Sequence, residues 1–229
     1  MTRAVLFDTE TTGLDPLTGH RLIEVAALEL VGDMPTGRHF HALVHPQRDI
    51  PDDVVRIHGI TLDRLLDKPP FAEIVDALLE FFGDGPLIAH NAPFDFAFLD
   101  YEFSLVGRQA LGRNRMVDTL ALAKARFPGL PNSLDALCRR FAIDLSERTT
   151  HNALLDCRLL AEVYVELTGG RQRGLWGSGQ SMPATRAIAA VAYQAIGPRP
   201  PRPIVPTEAE LVAHAAFVAR LVDPVWHRY

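Results

Sequence analysis

At 229 residues and 48% hydrophobic side chains, the chain can build one substantial core, or one core plus an appendage. A net charge of −5 argues against a generic polyanion binder, and two cysteines, Cys138 and Cys157, make neither a disulfide framework nor a zinc cluster, so a reducing cytoplasm is the expected setting. No apolar run approaches the ~20 residues that span a bilayer, and the N-terminal segment lacks the basic, apolar and small-residue order of a signal peptide, so no membrane association is expected.

The first predicted element is a short buried strand over 3–7, ending at Asp8. Residues 22–31 read as a second strand and 38–44 as a third; the 13–19 loop makes the first two antiparallel neighbours. Over 71–82 the apolar residues are spaced helically, with Ile74, Leu78, Phe81 and Phe82 on one side. A short apolar strand over 87–89 and a helix over 92–106 come next, then helices over 133–141 and 152–168. Strands first, then strands alternating with helices, predict an α/β domain whose mixed sheet is covered on both faces. Composition changes near Gly169: residues 169–179 are rich in Gly, Arg and Ser, and 197–206 in Pro. The expected division is a folded domain over 1–170, a flexible linker over 171–206 containing a short Ala-rich helix at 184–196, and a helical tail over 207–229. Thr207 and Glu210 form a capping-box pattern for a tail helix with Leu211, Ala215, Val218 and Val222 on one stripe.

Three stretches carry chemistry. Asp8 and Glu10 lie two apart in Phe7-Asp8-Thr9-Glu10-Thr11-Thr12-Gly13, so on a strand they share a face about 7 Å apart. Two such carboxylates repel unless a cation lies between them, and hard divalent ions take oxygen ligands. The pair alone reads equally well as a loop-capping Asp and a solvated Glu. Asp95, in His90-Asn91-Ala92-Pro93-Phe94-Asp95, follows a strand and enters the first turn of a helix, where an acid meets the helix dipole favourably with or without a function. It also sits at the C-terminal end of a strand, where α/β sheets place ligands. His151 and Asp156 are five residues apart, which on a helix is ~140° of separation. They converge on one site only if His151 precedes the helix, with Thr150 or Asn152 as its cap. A loop histidine there can act as a general base near neutral pH.

Taken in order, these stretches resemble the DEDD exonucleases. The His151–Asp156 gap suits the histidine subtype, and the nearest resemblance is to the epsilon, proofreading subunits of bacterial DNA polymerase III. It covers roughly residues 3–168 and extends to Ile57-His58-Gly59-Ile60-Thr61 and Val117-Asp118-Thr119-Leu120. The resemblance implies a ribonuclease-H-like fold and two divalent ions, Mg²⁺ or Mn²⁺, with Asp8 bridging both, Glu10 and Asp156 completing one site and Asp95 acting mainly through metal-bound water. His151 would take a proton from the attacking water, and Thr9, Thr11 and His58 would touch the terminal nucleotide. The implied reaction releases nucleoside 5′-monophosphates from a 3′ end. A free-standing exonuclease acting on RNA or in repair shares the motifs, whereas a non-catalytic binding module would need a missing carboxylate, and none is missing.

Residues 1–170 carry sixteen basic and twenty-five acidic side chains, a balance of −9; residues 171–229 carry seven arginines against three acids, +4. Affinity for DNA backbone scales with the phosphates neutralised by Lys and Arg, so an acidic body is expected to be brought to its substrate by a partner. The tail stripe, with Phe217 and Trp226, fits a helix-in-groove ligand, or else folds back on its own domain; the resemblance implies the polymerase catalytic subunit as the tail's partner. Gln172-Arg173-Gly174-Leu175-Trp176 resembles a sliding-clamp motif with its aromatic one place early.

Overall fold

The computed structural model describes residues 2–148, 150–169 and 205–221. Its strands are β1 (Arg3–Thr11), β2 (Leu22–Val31), β3 (Met34–Leu43), β4 (Leu87–Ala89) and β5 (Met116–Asp118), joined in one sheet in the order β3-β2-β1-β4-β5. The β1–β2 and β2–β3 pairs are antiparallel; β1–β4 and β4–β5 are parallel. Among the described residues the α-helices are α1 (Asp52–His58), α2 (Phe71–Phe82), α3 (Ala92–Leu105), α4 (Thr119–Arg126), α5 (Leu134–Arg140), α6 (Ala153–Leu167) and α7 (Glu208–Val218).

Alternation along β1 sends Val5 and Phe7 to one face of the sheet and Leu6 to the other. Val5 and Phe7 pack with Leu78 and Phe82 of α2 and Phe96 and Leu99 of α3. Leu6 packs with Ile88, with Leu137 of α5, and with Leu160 and Val163 of α6. The mixed sheet is therefore covered on both faces, as the sequence predicts. The same alternation puts Asp8 and Glu10 on the Leu6 side and Thr9 and Thr11 on the Phe7 side.

Two strands run further than their hydrophobic pattern. β1 continues to Thr11 because its ladder with β2 persists through the polar pair Glu10–Glu24; backbone hydrogen bonds do not depend on side-chain polarity. β3 begins at Met34, not residue 38, because the hairpin turn Gly32-Asp33 holds both residues at positive φ and restarts pairing at once. Its first six residues are exposed, which hides the strand from a burial pattern. Periodicity also misses α1, β5 and α4: α1 fully buries only His58, and α4 only Thr119 and Ala123.

The tail helix α7 starts on the predicted capping box. The N–H of Glu210 lies 3.4 Å from Thr207 Oγ1, and the N–H of Thr207 donates to Glu210 Oε2 at 2.7 Å. On α7, Leu211 and Phe217 are exposed and Val218 is buried. Val222, Trp226, the helix expected over 184–196 and the clamp-like Gln172, Leu175 and Trp176 lie outside the described residues.

Candidate active site

β4 pairs with β1 only at Val5 and Leu6, so Asp8 and Glu10 stand beyond the last parallel pair, at the C-terminal end of both strands. Across β2, Asp8 faces Ala26, a small residue, and Glu10 faces Glu24; a register shift after Glu10 ends the regular ladder. From β4 the chain turns into α3 through Asn91, held at φ 64, with Pro93 in the first helical turn. Asp118, at the end of β5, fixes that turn. Its Oδ1 accepts the N–H groups of Asn91 at 3.0 Å and Ala92 at 3.3 Å, and also that of Leu120 at the start of α4, at 3.0 Å. Asp95 follows in the first turn, buried, with Oδ1 accepting from the Thr9 hydroxyl at 2.7 Å.

The third stretch meets the condition set by its spacing. Asn152 caps α6, its side chain accepting the N–H of Leu155 at 3.0 Å, so His151 lies before the helix. The N–H of His151 is pinned to the carbonyl of Ile57 in α1 at 3.1 Å. Its Nδ1 then comes within 3.6 Å of Asp156 Oδ2. Glu24, almost fully buried, ties the start of α6 to β2: it accepts the N–H of Ala153 at 3.2 Å and the Asn152 amide at 3.4 Å, and pairs with His41 at 2.7 Å.

Burial raises three of these carboxyls, and neighbouring charges add to it. Loss of hydration pushes the Asp8 carboxyl well above its ordinary range, and the charges of Asp95, Glu10, Asp156 and Glu24 push it further. Burial, then Glu24, Asp156 and Asp95, hold Glu10 at about 8, against the lowering charge of Arg148. Burial takes Asp95 to about 7 despite its hydrogen bond from Thr9. Acids in this condition are what a cation would relieve. Glu10, His151 and Asp156 each present a ligand atom, all within 4.8 Å of one another, so the donor set fits a divalent ion. In this cluster His151, read from sequence as a base, presents a ring nitrogen beside the two carboxylates.

A cleft of about 330 Å³ opens between Asp8, His90, Asp135, Arg148, His151 and Asp156. A larger cavity of about 580 Å³, lined by Met34, Phe141, Ile143 and Val165, contains none of these groups. Thr9 and Thr11 are buried with their hydroxyls engaged, Thr11 donating to the Gly13 carbonyl at 2.6 Å. His58 is buried, accepts the N–H of Ile60 on Nδ1 at 2.9 Å, and has no hydrogen-bond partner for Nε2. Burial lowers its pKa. The sequence reading misses the cleft residues Arg148 and Asp135 and the anchors Glu24 and Asp118. Asp118 sits in a stretch already singled out by resemblance; Arg148 lies in a loop, where no periodicity marks it.

The chain matches the family described as Exonuclease over residues 5–164. It is 44% identical over 230 residues to the DNA polymerase III subunit epsilon of Rickettsia conorii, covering 98% of each chain. This chain belongs to the epsilon-subunit family of DNA polymerase III. The family is one of proofreading 3′→5′ exonucleases that depend on divalent metal ions, and this member is a metal-dependent 3′→5′ exonuclease. Its fold agrees with exonuclease X solved in complex with 5′ overhanging duplex DNA: TM-score 0.57 and 27% identity over 72% of this chain and 90% of that one. The nuclease domain of 3′hExo, a DEDDh family member bound to rAMP, shares the fold at a TM-score of 0.62 and 18% identity, over 73% and 92% of the two chains. None of the described helices is long and apolar enough to cross a membrane.

Proposed function

We propose that this epsilon-family chain removes nucleoside 5′-monophosphates from DNA 3′ ends, as the proofreading partner of a replicative polymerase. The observation that carries the reading is the convergence of Asp8, Glu10, Asp95 and Asp156 at one end of the sheet, with His151 held just outside α6. Asp8, Glu10 and Asp156, with Asp95, would hold two ions, Mg²⁺ or Mn²⁺. Two such ions stabilise the attacking and leaving oxygens of an in-line displacement. The half-exposed His151 ring is positioned to take the proton of the attacking water. Thr9, which donates to Asp95, and Thr11 are the proposed contacts of the terminal nucleotide. The buried Nε2 of His58 carries the ring proton, and a nucleotide oxygen would satisfy that donor. The two free cysteines are buried, and burial pushes the Cys138 thiol up to about 11, so it offers little thiolate for chemistry.

Trimming of single-stranded DNA in Mg²⁺ is the direct test. His151→Ala is expected to lower kcat by about 10²–10⁴-fold, the usual worth of a positioned general base. A wild-type rate would remove His151 from the chemistry.

Delivery to DNA falls to the tail. The −9 body has little cation to offer phosphate, whereas α7 exposes Leu211 and Phe217 on a capped helix. The proposed partner of 207–229 is the polymerase catalytic subunit, with Gln172, Leu175 and Trp176 as a sliding-clamp contact. Deleting residues 197–229 is expected to abolish co-elution with the catalytic subunit while single-stranded trimming persists. Co-elution undiminished by the deletion would place the docking surface elsewhere.

A further inference from the structure

Arg148 is the charged side chain that the reaction outlined above does not use, and it lies in the middle of the acids. Its guanidinium grips Asp156 with two nitrogens, Nε to Oδ1 at 2.6 Å and Nη2 to Oδ2 at 2.7 Å. Nη2 also lies 3.1 Å from His151 Nδ1, and since a guanidinium has donors only, that contact engages the unprotonated ring nitrogen. Nη1 is held on the outer side by Asp135. The Arg148 side chain is only 9% exposed and that of Asp156 only 5%. Both oxygens of a metal-ligating carboxylate and the lone pair of the general base are thus committed to one internal cation.

The geometry points to Arg148 as a built-in competitor of the metal: a counter-cation that neutralises Asp156 and covers His151 until a divalent ion takes Asp156, and that then retreats onto Asp135. The inference rests on the proposed role of Asp156 as a ligand. The contact is short, bidentate and charge-assisted, so its displacement opposes metal loading measurably. It also keeps Asp156 from adding an unpaired charge to a site where Asp8, Glu10 and Asp95 already repel.

Calorimetric titration of the full chain with Mn²⁺ tests this apart from activity. Arg148→Gln is expected to bind Mn²⁺ about tenfold more tightly, equivalent to roughly 1.4 kcal/mol. It should melt below wild type in EDTA and level with it in saturating Mn²⁺, which shows that the variant still folds. Arg148→Lys keeps the charge but not the two-pronged grip, so it should lie between the two. Unchanged or weaker Mn²⁺ binding by Arg148→Gln overturns the competition, as does a wild-type affinity for Arg148→Lys, which would leave only a long-range charge effect. If Asp156 is not a ligand at all, Asp156→Asn will bind Mn²⁺ like wild type, and that result separates failure of the site reading from failure of the competition.

Discussion

Asp8→Asn should abolish 3′ trimming while raising the melting temperature of the protein in EDTA. The carboxyl stands where loss of hydration and four neighbouring acids all oppose its charge. An amide of the same shape removes that repulsion and keeps the packing on the Leu6 face of the sheet, opposite Ala26. A gain of ~1 kcal/mol moves the midpoint of a protein this size by about 2–4 °C. The same substitution removes the carboxylate proposed to bridge both ions. Losing one member of a catalytic unit costs on the order of 10⁴-fold in rate. Opposite movements of activity and stability are the signature of a residue kept for chemistry at the expense of the fold. A variant that loses activity but also melts lower in EDTA would instead mark Asp8 as a structural residue.

The second large effect concerns pH. In EDTA, stability should fall as pH rises from about 4 to about 8, the reverse of the usual behaviour of paired carboxylates. The sign follows from the raised acids. Asp95 holds its proton to about 7 and Glu10 to about 8, with Asp8 also raised. In the unfolded chain all three lose theirs near ~4. Between those limits the folded state binds more protons, so each rise in pH favours unfolding; the contribution is complete below the unfolded values and gone above the folded ones. Divalent ions should flatten or invert the slope, because they bind the deprotonated carboxylates and so replace the protons. Melting curves at several pH values, with EDTA and with Mg²⁺, read this directly. A melting temperature that climbs over this window in EDTA would contradict the raised carboxyls.

These expectations show which parts of the site were open to sequence reasoning. Asp8 and Glu10 were legible because a strand repeats every two residues, so spacing alone places them on one face. The loop position of His151 was the condition that a rotation angle and a cap set for the site, both properties of a single helix. Arg148 could not be found that way. Its partners Asp135, His151 and Asp156 come from α5, the following loop and α6, and only packing brings a loop guanidinium between them. Glu24 was hidden for a related reason. In a strand that is buried on both faces it reads as a misplaced charge until α6 delivers the N–H of Ala153 to it.

The fold divides likewise. The hydrophobic runs of β1, β2 and β4 and the stripe of α2 follow from which residues must leave water. The full length of β1 and β3 follows from backbone pairing with a neighbour, which composition does not record.

The three motifs taken in order along the chain, through their resemblance to the exonucleases, therefore pointed to the nuclease family, the four acids and the histidine subtype, and spacing within one element to the capped tail helix. Tertiary structure alone decided how the acids are kept together. Asp118 fixes the start of α3, Glu24 fixes the start of α6, and Arg148 neutralises Asp156, each through contacts between segments distant in sequence or lying in loops without periodicity. Charge repulsion falls off with distance in space and not along the chain, so its remedy is written in the packing.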